Sequence, residues 1–248
     1  MLQKEVAVSI KIGDKEVVIG GAAKGAGMIH PNMATMLAFI STDAQIEPDL
    51  LKSLLKKSVS ESFNMIDIDG DQSTNDTVLV FANGMSGVSF DTGNSDEAII
   101  FQEALTYVCV ELAKAIVMDG EGSNRLIEVV VKGASSEVDA KNAAREITSS
   151  TLVKAMVHGL DPNWGRIMMA LGKSGVDFEE NNVDVFISDI HVVHDGCSIP
   201  YLADAVVSSM NAPEVKFEVN LNTGNFEAKA WGCDLTEEYV TFNSAYST

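Results

Sequence analysis

Cysteine is scarce in this sequence: of 248 residues only Cys109, Cys197 and Cys233 carry a thiol, and no two are spaced as a pair. No zinc site can be assembled from them, and their number fits a reducing compartment. Cations are also few. Lysine and arginine total 17 against 36 aspartates and glutamates, a net charge of −19, whereas a nucleic-acid partner calls for clustered Lys and Arg to neutralise phosphates. The longest basic run, Lys56-Lys57, belongs on the solvated face of a helix whose other face carries Leu51, Leu54 and Leu55. Apolar runs are short: stretches such as Thr77 to Ala82 fall far below the ~20 residues of a membrane-spanning helix. No N-terminal stretch has the charged, apolar and small-residue order of a signal peptide, and neither a repeat nor a low-complexity linker is present. The expectation is a soluble, cytoplasmic protein with neither nucleic acid nor membrane as partner. Its 46% apolar and 21% charged residues are ordinary for a globular chain, long enough for one large or two smaller domains.

Val6, Val8 and Ile10 alternate with polar neighbours, Gly13-Asp14 turns the chain and Glu16 to Ile19 returns, which predicts a hairpin. The apolar runs Thr35 to Ser41 and Val78 to Ala82 predict strands buried on both faces. Pro48 opens a helix to about Phe63, and Ser95 caps a longer one over Asp96 to Met118 with Ile99, Leu105, Val108, Leu112 and Ile116 on its apolar side. A strand at Leu126 to Val131 precedes a helical stretch from Ala140 to Gly172, broken at Gly159 to Trp164 by Pro162. The remainder predicts strands at Val183 to Ile187, His191 to Val193, Val215 to Leu221, Phe226 to Trp231 and Tyr239 to Phe242, with a helix at Leu202 to Met210. Interleaved helices and strands make the class α/β or α+β in layers.

The stretch Lys24-Gly-Ala-Gly-Met-Ile-His-Pro-Asn-Met-Ala-Thr-Met-Leu-Ala-Phe39 carries the chemistry. A glycine and proline loop delivers one hydroxyl, Thr35, to the mouth of a strand, behind the small Ala34. Such a threonine can attack its own preceding carbonyl, and hydrolysis of the resulting ester leaves it as a new N-terminus. The freed α-amine, with an ordinary pKa of about 7.7–8, can then serve as the general base that a threonine hydroxyl otherwise lacks.

That string closely resembles the self-cleavage segment of the ornithine acetyltransferase family. Four further stretches agree in order: Asp69-Gly-Asp-Gln-Ser-Thr-Asn-Asp-Thr77, Asp119-Gly-Glu-Gly122, Asp161-Pro-Asn-Trp-Gly-Arg166 and the tail Tyr239-Val-Thr-Phe-Asn-Ser-Ala-Tyr-Ser-Thr248. The resemblance implies an arginine-biosynthesis acyltransferase cut between Ala34 and Thr35. It implies a ping-pong transfer of acetyl from N-acetylornithine through Thr35 to glutamate, with acetyl-CoA as a second donor in bifunctional members. It also implies substrate contacts at Lys24, Thr35, Glu121, Asn243 and Thr248, no cofactor or metal, and an assembly of α- and β-chains into a heterotetramer. The fold implied is a layered αββα sandwich with a second α/β domain. Residues 1–34 would end the α-chain, 35–139 would form the first β-chain domain with the nucleophile, and 140–248 the second domain and tail.

The family chain begins well before Met1 and supplies upstream a Thr-Gly pair for the oxyanion hole, which has no counterpart here. Ala26, Gln72 and Ser247 stand where the family often has Ser, Thr and Arg, the last weakening carboxylate recognition by the tail. Two other readings stay open: an N-terminal-nucleophile aminopeptidase, which gives the acyl group to water, and a non-catalytic fragment without the oxyanion half. Other motifs are refused. Asp67-Ile-Asp-Gly-Asp71 has its glycine too early for a calcium loop and Val78 where glutamate belongs. Gly20 to Gly27 lacks the Gly-Lys-Ser/Thr ending of a phosphate loop. His191 and His194, three apart on an expected strand, should face opposite sides and make a poor metal pair. His30 reads as a loop histidine, with acid–base work as its alternative.

Overall fold

The computed structural model describes residues 3–30, 36–90, 93 and 95–245. They divide into two compact units, Met1–Asn64 with Asp71–Asp119, and Met65–Gly70 with Gly120–Thr248. In the first unit the expected hairpin forms: β1 (Glu5–Ile12) pairs antiparallel with β2 (Lys15–Lys24) around Gly13, whose φ of +61° suits glycine. Strand β2 continues through the small residues Gly20 to Ala23 and pairs antiparallel with β3 (Leu37–Thr42). A two-residue strand β4 (Gln45–Ile46) leads to α1 (Pro48–Ser60), where Pro48 occupies the first turn and Leu51 and Leu54 are buried. After contributing β5 (Ile66–Asp67) to the second unit, the chain returns with β6 (Thr77–Ala82), parallel to β3, and β7 (Ser89–Phe90), which pairs with β4.

The 23-residue α2 (Asp96–Met118) covers one face of the sheet β1-β2-β3-β6. Ser95 Oγ accepts from the Ala98 amide at 3.2 Å, satisfying one orphan donor of the helix start. Phe101, Leu105, Val108, Leu112 and Ile116 are fully buried, while Ile99 points outward because the buried stripe runs through Ala98, one residue and 100° away. Gly21 permits this approach: a Cβ there would meet Leu112 Cδ1 at 3.0 Å.

The opposite sheet face corrects an expectation. Strands β3 and β6 are not buried on both sides. Phe39, Leu79 and Phe81 alternate with inward residues and are 41% to 57% exposed, beside Val18 of β2. Phe39 pairs with Leu79, so these side chains share one face.

The second unit is a seven-stranded sheet ordered β11-β10-β9-β12-β8-β13-β5. Its centre is β8 (Leu126–Ala134), continuing past the expected Val131 and flanked by β12 (Glu214–Asn220, parallel) and β13 (Phe226–Cys233, antiparallel). The division between units therefore falls at residue 119/120, upstream of the expected 139/140, because β8 hydrogen-bonds to strands from the chain's end. Helices α3 (Glu137–Ser149), α4 (Thr151–His158) and α5 (Trp164–Lys173) follow, α3 lying on β8 and β13. Strands β9 (Asp184–Ile187), β10 (Ile190–His194) and β11 (Cys197–Ser198) form one edge, and α6 (Ala203–Met210) packs on β12.

The last described element is α7 (Glu237–Ala245), a helix where Tyr239 to Phe242 predict a strand. Those residues favour β structure by propensity, but they join none of the described sheets. Glu237 and Glu238 suit a helix N-terminus electrostatically, and Thr236 Oγ1 accepts from the Tyr239 amide. Among the described residues, no helix is long and apolar enough to cross a membrane.

Lys154 of α4 and Asp67 of β5 form a buried ion pair, Nζ to Oδ2 2.9 Å, with Nζ also donating to the Cys233 carbonyl at 3.1 Å. Burial alone would lower the lysine's pKa, but the adjacent Asp67 carboxylate holds it above its ordinary value. Its stabilisation is complete below the ordinary lysine pKa and is lost only as pH rises through the elevated one. Lys154→Met should lower unfolding free energy by about 3–5 kcal/mol at neutral pH, because Asp67 keeps its buried charge without the cation. Urea denaturation measures it, and a loss under about 1 kcal/mol would show that the pair does not hold this sheet edge.

Candidate active site

In the first unit, Lys24 ends β2 opposite Leu37, which begins β3, and Leu37 lies beside Thr77, which begins β6. The loop between Lys24 and Leu37 thus leaves and rejoins the sheet at one end. Ala34 and Thr35 lie outside the described residues. Met36, the residue after them, is buried and held on both sides: its amide donates to Asp76 Oδ1 at 2.7 Å, and its carbonyl accepts from the Thr77 amide at 3.0 Å. Ile29 anchors the described part of the loop, fully buried, while His30 beside it is half-buried and Lys24 is exposed.

Asp76 was missed by the sequence reasoning, although it is the last carboxylate of the Asp69–Thr77 stretch. It is 9% exposed, and among the described residues its Oδ2 has no hydrogen-bond partner. Desolvation raises its pKa, partly offset by the Met36 amide bond and by the charge of Lys24. A carboxylate that is costly to ionise therefore holds the amide of Met36, within the electrostatic reach of Lys24.

In the second unit, two expected substrate-contacting residues come together: Asn243 Nδ2 donates to Glu121 Oε2 at 3.0 Å. Asn243 also donates to the Tyr239 carbonyl one helical turn back, which fixes its amide. Glu121 sits in a turn docked on the start of α7, where Thr236 Oγ1 donates to the Gly122 carbonyl at 2.7 Å. Gly122 has a φ of +71°, and a Cβ there would meet the Tyr239 nitrogen at 2.6 Å, so only glycine brings this turn so close. The pair is at the surface, with Asn243 exposed and Glu121 partly so. Thr248 lies outside the described residues. The Asp161–Arg166 stretch closes the α4–α5 connection: Arg166 donates to the Leu152 carbonyl and pairs with Asp161 at 3.4 Å. Cys109, buried in α2 with its pKa pushed up to about 12 by desolvation, is an inert core thiol.

A family model described as the ArgJ family matches residues 1–248. The Arginine biosynthesis bifunctional protein ArgJ of Dehalococcoides mccartyi is 48% identical over 245 residues, covering 99% of this chain and 60% of that one. The Glutamate N-acetyltransferase of Methanocaldococcus jannaschii is 49% identical over 258 residues, covering 99% of this chain and 62% of its own. The chain thus spans about three fifths of the length of these curated relatives. The crystal structure of Arginine biosynthesis bifunctional protein argJ from Bacillus halodurans superposes with a TM-score of 0.80 at 39% identity, over 83% of this chain and 97% of that one.

Removing the Asp76 side chain orphans the buried Met36 amide, so Asp76→Ala should cost about 1–3 kcal/mol at neutral pH. Asp76→Asn keeps an acceptor and removes the charge. Because the folded-state pKa is raised, the parent loses stability as pH rises from about 3.8 through that elevated value, and the Asn variant should lack this loss. Urea melts across that window test both; identical pH dependence in parent and Asn variant would contradict the assignment.

Proposed function

The chain belongs to the ArgJ family, and from that membership we propose that it is the nucleophile-bearing part of a glutamate N-acetyltransferase acting in arginine biosynthesis in the cytoplasm. Thr35 Oγ attacks the Ala34 carbonyl, the peptide shifts to an ester, and water releases the chain that begins at Thr35. The new α-amine takes the hydroxyl proton as Oγ attacks the acetyl carbonyl of N-acetylornithine. Ornithine leaves with that proton on its amine, and the acetyl group rests on Thr35. The glutamate amine then attacks the ester, yielding N-acetylglutamate and free Thr35. In a bifunctional enzyme Thr35 Oγ instead attacks the acetyl carbonyl of acetyl-CoA, the C–S bond breaks, and CoA leaves as the thiol, giving the same acetyl-threonine.

The observation that carries this reading is the Glu121–Asn243 pair, 3.0 Å apart. A carboxylate that takes an ammonium beside an amide that bonds amino-acid backbone groups suits an ornithine- or glutamate-type substrate. Lys24 supplies a cation for a substrate carboxylate, and the Thr248 hydroxyl completes the tail's contacts.

The apolar sheet face of Val18, Phe39, Leu79 and Phe81 supports a second sheet layer there, as an αββα sandwich requires. The remaining part of the family chain would supply that layer, the oxyanion donors and, on dimerisation, an α/β heterotetramer. The test is covalent. Assembled with that part and given N-acetylornithine alone, the protein should gain one acetyl mass on the chain that starts at Thr35. Glutamate should discharge it as N-acetylglutamate faster than water does. Product formation without an acetylated intermediate, or discharge to water as fast as to glutamate, would overturn the transferase reading.

A further inference from the structure

We propose that Asp184, His191 and His194 form a binding site for a divalent transition-metal ion of the zinc class. On a regular strand His191 and His194 would face opposite sides, but the register of β10 against β9 shifts between His191 and Val193. This bulge turns both imidazoles toward Asp184 of β9 and replaces the sequence expectation of a poor pair. Asp184 Oδ1 lies 2.7 Å from His194 Nδ1 and 3.6 Å from His191 Nε2, and the three candidate ligand atoms all lie within 4.8 Å of one another. Zinc–ligand bonds of about 2.0–2.2 Å in tetrahedral geometry place neighbouring ligand atoms roughly 3.3 Å apart, between those two distances.

His191 Nε2 is buried without a hydrogen-bond partner among the described residues, Oδ1 being too distant. A metal ion would satisfy it. The surroundings also orient the ligands. Phe186 stacks on the His191 ring at 4.2 Å and 13°. Asn222 Nδ2 donates to Asp184 Oδ2 at 3.0 Å and to the Asn182 carbonyl at 2.7 Å, which steadies the carboxylate. His194 Nε2, facing away from the cluster, lies 3.5 Å from Asp195 Oδ2, the outer carboxylate typical of metal-bound histidines. Two imidazoles with one carboxylate select zinc, nickel or cobalt over magnesium or calcium. His194 is 56% exposed, which leaves a fourth position for water, and binding displaces the Nδ1 proton to solvent. The ion would tie the β9–β10 hairpin to the turn after β12 that carries Asn222.

The test is calorimetric titration of Zn2+ and visible spectroscopy of Co2+ with the 248-residue chain, expressed without a histidine tag. One ion per chain is expected, with tetrahedral Co2+ absorption. H191Q and H194Q should each weaken binding at least about 10-fold, and Asn222→Ala, outside the ligand set, by about 10–100-fold. Circular dichroism verifies folding, and the exposed His194 gives the variant least able to disturb it. Absence of stoichiometric binding, or undiminished binding in folded H194Q and in the H191Q/H194Q double variant, would overturn the proposal.

Discussion

Two hydrogen bonds at the mouth of β3, from the Met36 amide to Asp76 and from the Thr77 amide to the Met36 carbonyl, fix where the chain enters the first unit's sheet. The proposed chemistry depends on them. A hydroxyl attacks a neighbouring carbonyl efficiently only when the backbone beside it cannot wander, because orientation supplies much of the rate advantage. Parallel pairing of β3 with β6 sets Thr77 beside Leu37 and so places Asp76 next to the strand entrance. The cost of burying that carboxylate, visible in its raised pKa, is maintained where the site needs a fixed strand start.

The same logic of fixed backbone runs through the second unit. Gly122 lets the Glu121 turn dock on the start of α7, and the i to i+4 bond from Asn243 to Tyr239 aims the amide at Glu121. Lys154 and Asp67 tie α4 to the β5 edge of the sheet. Each is a polar group whose burial or close approach would be unfavourable unless its partner were in place.

Much of this was legible in sequence where local rules decide. The Gly13-Asp14 turn, Pro48 at a helix start and Ser95 at another are short-range signals, and the structure bears them out. That Glu121 and Asn243 meet is not legible locally, since nothing nearby distinguishes them from surface residues and their contact spans 122 positions. Three features depended on tertiary context. Phe39 and Phe81 read as doubly buried because composition does not reveal which sheet face is covered. Tyr239 to Phe242 read as a strand because propensity carries no information on available edges. The pairing of His191 with His194 was hidden by a bulge that breaks the period-two rule. Asp76 went unremarked because a carboxylate in an acidic loop looks solvated until its burial is known.

The central claim is that Thr35 is a nucleophile toward its own backbone, and intact mass measurement of the chain assembled with the rest of its family sequence tests it most directly. The account predicts two species from the present chain, residues 1–34 (joined to whatever precedes them) and residues 35–248, with a single uncut species in Thr35→Ala. An uncut parent chain in that assembly, or a cut at the same bond in Thr35→Ala, would contradict it.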